Sequence, residues 1–289
     1  MSARLTESYR FFYPDAGNAG FQPDPVDYFS ALRTFIDIGR GFPGTGFDDA
    51  EPFYRLLKRG IAHLLIDQTR AIPDAALTAN AYLDAMIQPG HVVITSNWDT
   101  LLERFAALKG VPLRMSTSSR EFSAKEVTVL KLHGSIDWCK TSDRISGYGD
   151  DHYASLTELQ NPPRAYTPSL PAGQDDLIRV RSGLNDEWRK IKARARDLWM
   201  VTMVTGKQDD LGPLQNIWRD AYRALSRAAS VEIVGYSMPP DDVEIRALLR
   251  AGIQRGTQPS LLVRNPAPDV HYRVRAYLDR GATSDYQPV

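Results

Sequence analysis

Short apolar runs alternate with amphipathic helical patterns from residue 90 onward, and no other feature of the sequence limits the fold as much. The runs are nearly continuously apolar, as is typical of strands that helices cover on both faces. They read HVVITS, VTVLKLHGS, DLWMVTMV, VEIVGYS and PSLLVRNP. Strands that alternate with helices in this way predict an α/β fold built on a doubly wound parallel sheet.

The residues before this alternation show helical periodicity. Asp24 followed by Pro25 is typical of a helix start, and further helical patterns come after it. We therefore predict an N-terminal segment and helical lobe over residues 1–89, and a sheet-containing domain over residues 90–289. Polar residues and several prolines interrupt that domain, which predicts an irregular insertion over residues 140–195.

The composition excludes several classes of protein. The 35 Lys and Arg residues balance the 35 Asp and Glu residues, so the net charge does not indicate a nucleic-acid partner. The sequence has no run of about 18 apolar residues and no signal-peptide core, which predicts a cytoplasmic chain without a membrane partner. Cys139 is the only cysteine, and the histidines lack ligand-like spacing, so neither an internal disulfide nor a metal site is predicted.

Ligands of doubly wound sheets bind beyond the carboxyl ends of the strands. Small, polar or aromatic residues follow four of the predicted strands, in the segments TSNWD, LHGSIDW, GYSMPPDD and VRNPAPD. The fold is expected to bring several of these strand ends to one crevice. They are therefore the candidate functional site.

The first two segments contain side chains with two possible roles each. The amide of Asn97 suits a sugar hydroxyl or a positioned water, or it caps the following helix. Asp99 either contacts a carboxamide or favours the positive end of that helix. His133 is placed to act as a general base near neutral pH, or it is a hydrogen-bonded core histidine. Trp98 is interpreted as a packing residue rather than a stacking platform.

The last two segments have features of a phosphate or ribose site. Gly235 allows close approach to the backbone, and Ser237 offers a hydroxyl shortly before a predicted helix N-terminus. Asn265 places another polar group directly after an apolar strand. Together with the first two segments, these residues indicate a nucleotide site.

The ordered set TSNWD, KLHGSIDW, VEIVGYSMPPDD and VRNP resembles the sirtuin-like family, especially its divergent bacterial branch that degrades NAD during antiphage defence. The resemblance runs from about residue 50 to the C-terminus, and implies a Rossmann-like fold with NAD as the substrate and no metal. It implies that Asn97 is the catalytic amide that positions water and the nicotinamide ribose, and that His133 is the base. The implied cofactor-binding residues are Thr95, Ser96, Asp99, Gly134, Gly235, Ser237 and Asn265.

Two features differ from the family pattern. A single cysteine cannot form the four-cysteine zinc module of protein-deacylating sirtuins, which disfavours deacylation. The N-terminal residues also lack the strand and the Gly-Ala-Gly-x-Ser turn that hold the diphosphate in the family. The alternation of Tyr9, Phe11 and Tyr13 predicts that residues 8–14 form a short replacement strand, with a strand from a second copy as the alternative.

The resemblance implies an NAD glycohydrolase that releases nicotinamide and ADP-ribose, acting in bacterial antiphage defence. The alternative is a non-catalytic NAD- or ADP-ribose-binding subunit of a defence complex. Because the sequence contains no recognisable sensor domain, we expect either a homo-oligomer or a separate regulatory protein as partner.

Overall fold

The computed structural model describes most of the chain, in two compact units. The described residues are 2–14, 24–115, 121–140, 177–179, 198–202, 204, 211, 214–240, 242–256 and 259–278. The units are Met1–Leu214 and Gln215–Val289. The domain boundary predicted between residues 89 and 90 stays a prediction.

The first unit begins with helices and then alternates strands with a helix. Its helices are α1 (Ser2–Phe12), α2 (Pro25–Asp37), α3 (Ala50–Ala71), α4 (Asp74–Thr78), α5 (Ala81–Met86) and α6 (Leu101–Lys109). Its strands are β1 (Val92–Thr95), β2 (Leu113–Arg114), β3 (Val127–Lys131), β4 (Gly134–Lys140), β5 (Leu177–Arg179) and β6 (Leu198–Met200).

Side-chain caps set where several of the helices begin. The carboxylate of Asp24 accepts a hydrogen bond from the N–H of Val26 at 2.8 Å, which confirms the predicted start of α2 at Pro25. Asp49 caps α3 in the same way, with its carboxylate 2.9 Å from the N–H of Glu51. Each cap satisfies an N–H group that the helix itself leaves without a partner.

An aromatic cluster holds the helices at the N-terminus together. Its buried members are Tyr28, Leu32, Phe42, Ala50, Phe53, Tyr54 and Leu57, with Phe12, Tyr13, Phe29, Phe35 and Phe47 among the partly buried side chains around them. The Tyr28 hydroxyl lies 2.7 Å from the Ser8 hydroxyl of α1. Burial raises the pKa of Tyr28, so the phenol keeps its proton in this apolar surrounding.

The prediction of a replacement strand over residues 8–14 is wrong, because α1 continues to Phe12. The two-residue alternation of aromatic side chains is also compatible with a helix. Ser8 and Phe12 are four residues apart; Ser8 is buried and Phe12 packs on the aromatic cluster, whereas Phe11 is 64% exposed. The side chains of this segment are therefore buried with the period of a helix, although its aromatic residues alternate as in a strand.

Helix α1 lies directly against the loop that contains Gly44. This glycine has a φ of +76°, and a Cβ added to it would lie 2.8 Å from the backbone N of Ser8. Gly46 has a similar φ of +68°, but an added Cβ there meets no atom within 4 Å. The two glycines therefore separate the cost of backbone strain from the cost of displacing α1.

We predict that Gly44→Ala destabilises the chain more than Gly46→Ala does. Strain in the left-handed region costs about 1–2 kcal/mol for either substitution. The collision with α1 adds about 1–3 kcal/mol at Gly44 alone. Thermal or urea unfolding measures the free-energy cost of each substitution. The two substitutions should also be tested after deletion of residues 2–12, which removes the helix that the added methyl group at position 44 meets. Equal costs in the full-length chain would contradict the packing of α1 on this loop.

Three strands of the first unit form a parallel sheet in the order β1-β3-β2. Val92 lies opposite Thr128 and Thr95 lies opposite Lys131, so β1 and β3 end at the same edge. All five residues of β3 are buried, as expected for the central strand. The carboxyl ends of β1 and β3 therefore place the first two polar segments side by side.

Beyond β3, the structure differs from the prediction of a single parallel sheet. The predicted strand VTVLKLHGS is divided, since β3 ends at Lys131 and β4 begins at Gly134, which has a φ of 76°. Strand β4 pairs antiparallel with both β5 and β6. The parallel placement expected for DLWMVTMV is therefore wrong. Most of the predicted insertion over residues 140–195 lies outside the described residues, and β5 is a paired strand within it.

Helix α3 packs on this antiparallel sheet. Ala62 and Ile66 of α3 form a buried cluster with Ile136 and Met200, and Trp98 packs against it. The hydroxyl of Tyr54 lies 2.7 Å from the Thr202 hydroxyl, a buried contact between α3 and the segment after β6. The helical region and the strands of the first unit thus share a core.

The second unit is a βαβ arrangement between two further helices. Its elements are α7 (Gln215–Arg227), β7 (Ser230–Val234), α8 (Val243–Arg255), β8 (Ser260–Arg264) and α9 (Pro268–Tyr277). Strands β7 and β8 pair in parallel from Ser230 opposite Ser260 to Val234 opposite Arg264. Parallel strands joined through helices in both units confirm the predicted α/β, Rossmann-like fold with an N-terminal helical region.

Candidate functional site

The end of β1 and the turn after it are bonded to the residue that follows β3 and to the start of β4. The N–H of Leu132 donates to the carbonyl of Thr95 at 2.9 Å, and the N–H of Ile136 donates to the carbonyl of Trp98 at 3.0 Å. The hydroxyl of Ser135 also donates to the Trp98 carbonyl, at 3.2 Å. The turn is therefore held at both ends of the predicted catalytic position, residue 97.

Asn97 presents its side chain to solvent from this anchored turn. Its backbone N–H donates to the Thr95 hydroxyl at 3.0 Å. Its side-chain amide is exposed and makes no hydrogen bond with the part of the chain that the structure describes. The amide keeps its capacity to donate and accept, and can bind a ligand hydroxyl or a water.

The capping role considered for Asn97 belongs to Asp99. Its carboxylate accepts a hydrogen bond from the N–H of Leu101 at 2.9 Å, at the start of α6. Thr100, at the N-cap position, makes no side-chain capping bond. Asp99 thus satisfies an N–H group of the first helical turn and contributes negative charge at the positive end of α6.

His133 lies on the other of the two bonded segments, between the end of β3 and the start of β4. It is 8% exposed and stands between Leu132, which bonds Thr95, and Ser135, which bonds Trp98. Along the chain, the bonded residues therefore stand on both sides of His133 in one segment and on both sides of Asn97 in the other. The structure therefore brings the two predicted catalytic residues to the same pair of strand ends, together with Thr95, Ser96, Asp99 and Gly134.

A buried ion pair beneath these turns is a feature that the sequence did not reveal. The ammonium of Lys131 lies 2.8 Å from a carboxylate oxygen of Glu103, and the two side chains are 1% and 0% exposed. The same ammonium donates to the Ser135 hydroxyl at 2.9 Å and to the carbonyl of Asp99. The sequence offered one signal for this pair. A lysine stands within the apolar run VTVLKL, and a glutamate stands on the amphipathic helix that precedes this run.

The remaining predicted site residues lie in the second unit, after β7 and β8. Gly235 has a φ of +65°, and a Cβ added to it would meet no atom within 4 Å. Ser237 is exposed, and its carbonyl accepts a hydrogen bond from Arg273 at 3.2 Å. Asn265 is buried, and its side-chain oxygen accepts from the N–H of Ala267 at 3.0 Å, so it shapes the turn before α9.

A short turn of strained backbone follows Gly235. Met238 has a φ of 54° and is buried, and it is the one non-glycine residue with positive φ in the described part of the chain. Arg246 donates to the carbonyl of Pro240 at 2.8 Å, so arginines of α8 and α9 both bind carbonyls of this turn. The turn keeps Ser237 at the carboxyl end of β7 while Gly235 leaves the backbone accessible.

The described residues outside these strand ends include a buried titratable histidine, but no group with the features of a metal site or a membrane span. Burial lowers the pKa of His271 on α9, and the Arg275 guanidinium lowers it further. Within the described residues, no group of three or more His, Cys, Asp or Glu side chains is placed to hold a metal ion. No helix in that part of the chain is long and apolar enough to cross a membrane.

The fold and the polar strand ends together define an α/β protein of the Rossmann-like type. Residues 91–280 match the family described as the SIR2-like domain, which is more than half of the 289 residues. The chain belongs to this family, which confirms the sirtuin-like resemblance. SIR2-like domains use NAD as a substrate, so the function of the chain is related to NAD. A comparison with curated proteins found none that matches the chain.

We predict that Asp99→Asn retains the stability of the chain and that Asp99→Ala does not. The asparagine keeps an oxygen that accepts from the Leu101 N–H, whereas alanine leaves that N–H without its partner, at a cost of about 1 kcal/mol. Urea unfolding of the two variants provides the comparison. A full loss of stability in Asp99→Asn would show that the charge rather than the hydrogen bond matters.

Proposed function

We propose that the chain is an NAD glycohydrolase, which releases nicotinamide and ADP-ribose from NAD. The main support is the exposed amide of Asn97, held in a turn that is bonded on both sides to the turn containing His133. Membership of the SIR2-like family supplies the substrate class. An exposed amide in a fixed backbone, beside a buried histidine, suits the positioning of a water against a sugar.

The proposed reaction exchanges one bond for another. The N-glycosidic bond of NAD breaks and nicotinamide leaves as a neutral molecule, while a water oxygen bonds to the ribose carbon and a proton is released. Asn97 positions the water and the nicotinamide ribose, and His133 binds the ribose and takes the proton. Ser96 and Asp99 are proposed to contact the nicotinamide. For Gly235, Ser237 and Asn265 of the second unit, we propose separately a role in binding adenosine or phosphate.

The proposed biological role is bacterial antiphage defence, through depletion of NAD. An NAD-consuming enzyme must be silent until it is needed, which is why we propose control by self-assembly or by a separate regulatory protein. Turnover assays should therefore include both dilute and concentrated protein.

A non-catalytic NAD- or ADP-ribose-binding subunit is the second candidate. The observation in its favour is the turn after β7, where Gly235 leaves the backbone accessible and Ser237 is exposed. The turn after β7 has features of ligand binding that are independent of Asn97 and His133. A chain that binds ADP-ribose through this turn and leaves NAD intact would fit the second candidate.

We predict that Asn97→Ala and His133→Ala each lower nicotinamide release by about 100-fold or more, the loss expected when a positioning group or a general base is removed. Asn97→Ala should leave the melting temperature unchanged, since its amide bonds no described residue. Asn80→Ala is the matched control, because the Asn80 amide caps α5 through the N–H of Leu83. It should lose about 1 kcal/mol of stability and no activity. Unchanged turnover in Asn97→Ala would refute the catalytic assignment.

We predict that Gly235→Ala weakens binding of ADP-ribose by about tenfold, because the added methyl group occupies the space through which a phosphate or ribose approaches the backbone. Gly110→Ala is the control, since Gly110 has a φ of +67° and an added Cβ there also meets nothing within 4 Å. Both variants place an alanine at nearly the same positive φ, +65° at Gly235 and +67° at Gly110. Calorimetry should show weaker binding in Gly235→Ala alone; equal affinities would place the ligand elsewhere.

A further inference from the structure

The ammonium of Lys131 has three polar partners on three different segments. They are the carboxylate of Glu103 on α6, the carbonyl of Asp99 in the turn after β1, and the hydroxyl of Ser135 at the start of β4. An ammonium group has three protons to donate, so the three partners use its full capacity. We call Lys131 and these three partners the lysine network.

The lysine network is an unusual use of a fully buried position. Removing an ammonium and a carboxylate from water carries a large desolvation penalty, and apolar residues of similar volume often replace such a pair without loss of stability. Lys131 is the last residue of β3, whose other four residues are Val127, Thr128, Val129 and Leu130. An apolar residue would suit the core at this position, so stability alone does not account for the lysine.

The partners of the lysine are arranged around the two proposed catalytic residues. Asp99 follows Asn97 by two residues, and Ser135 follows His133 by two residues. The Ser135 hydroxyl accepts from the lysine and donates to the Trp98 carbonyl, which adds a second connection between the turns. The network therefore joins the backbone that carries Asn97 to the backbone that carries His133, and anchors both to α6 through Glu103.

We propose that Lys131 is a positioning residue for catalysis, and that it fixes the turn of Asn97 against the turn of His133 through the lysine network. The catalytic part of this proposal rests on the NAD glycohydrolase activity proposed above. The connection between the two turns does not depend on that activity. Lys131 is 1% exposed, so it acts through the residues it bonds rather than by contact with NAD. A displacement of about 1 Å in a catalytic group can lower a rate by about 100-fold.

The test removes the whole ion pair, so that no buried charge is left without a partner. Lys131→Met combined with Glu103→Leu keeps the side-chain volume and the apolar character of the core. The matched control is Arg114→Met combined with Glu126→Leu, which removes an ion pair with side chains 20% and 18% exposed. Glu126 precedes β3 and is five residues from Lys131, or about 16 Å along the strand.

Two measurements are made on both double variants and on the wild type. Hydrogen exchange of the amides of Leu132 and Ile136, which donate to the carbonyls of Thr95 and Trp98, reports whether the turn is held, and should become about tenfold faster in the Lys131/Glu103 variant alone. Nicotinamide release should show kcat about 100-fold lower in that variant, with KM within about threefold of the wild-type value. The control variant should match the wild type in both measurements.

Ser135→Ala is the second variant, in case the Lys131/Glu103 variant does not fold. It removes the hydroxyl between the lysine and the Trp98 carbonyl and keeps the ion pair. We expect faster exchange of the Leu132 and Ile136 amides and a kcat lowered by about threefold to tenfold, in line with the loss of one hydrogen-bonded group.

Unchanged exchange of the Leu132 and Ile136 amides in a folded Lys131/Glu103 variant, or in Ser135→Ala if that variant does not fold, would overturn the proposed connection. Faster exchange with an unchanged kcat would overturn the positioning role. A wild-type chain that releases no nicotinamide at any protein concentration would refute the glycohydrolase instead, and the exchange result would still decide whether the lysine holds the turn.

Discussion

The buried ion pair between Lys131 and Glu103 is the contact on which the arrangement of the strand ends depends. Desolvating each charge costs several kcal/mol, and only good geometry with further hydrogen bonds offsets that cost. The Lys131 ammonium meets this condition through Asp99 and Ser135. Helix α6 also carries Arg104, which donates to the carbonyl of Thr69 in the last turn of α3 and to the carbonyl of Ile72 directly after it. Arg104 also pairs with Asp74. One helix thus connects the strand ends to the helical region of the first unit.

Features that depend on neighbouring residues could be predicted from the sequence. The start of α2 follows from Asp24 and Pro25, and Gly110 ends α6 in the left-handed conformation that glycine favours. Lys131 could not be placed in this way. A lysine at the end of an apolar strand suggests that the chain has reached solvent, and only the fold reveals that Glu103 comes close enough to compensate its burial. The junction of Asn97 and His133 was expected from the pairing of parallel strands, but its anchoring was not.

The two errors in the predicted fold have the same origin, which is a local pattern that fits more than one structure. Aromatic residues at Tyr9, Phe11 and Tyr13 alternate as in a strand, yet α1 continues to Phe12, which packs on the aromatic cluster from this helix. The run through Lys131 and Gly134 reads as one strand, yet Gly134 adopts a positive φ and the chain continues in an antiparallel sheet. Long-range packing decides both cases.

The polar turn after β1 separates two tasks that a single residue could not perform together. An asparagine that caps a helix uses its side-chain oxygen for a backbone N–H, and that oxygen is then less available to a ligand. Here Asp99 bonds the first turn of α6, and the Thr95 hydroxyl accepts from the backbone N–H of Asn97. With both structural bonds made by its neighbours, the amide of Asn97 is left to solvent in the described part of the chain. The side chains of Thr95 and Asp99 therefore stabilise the structure of this turn. The amide of Asn97 makes no such bond in the described part of the chain, and is the group best placed to bind a ligand.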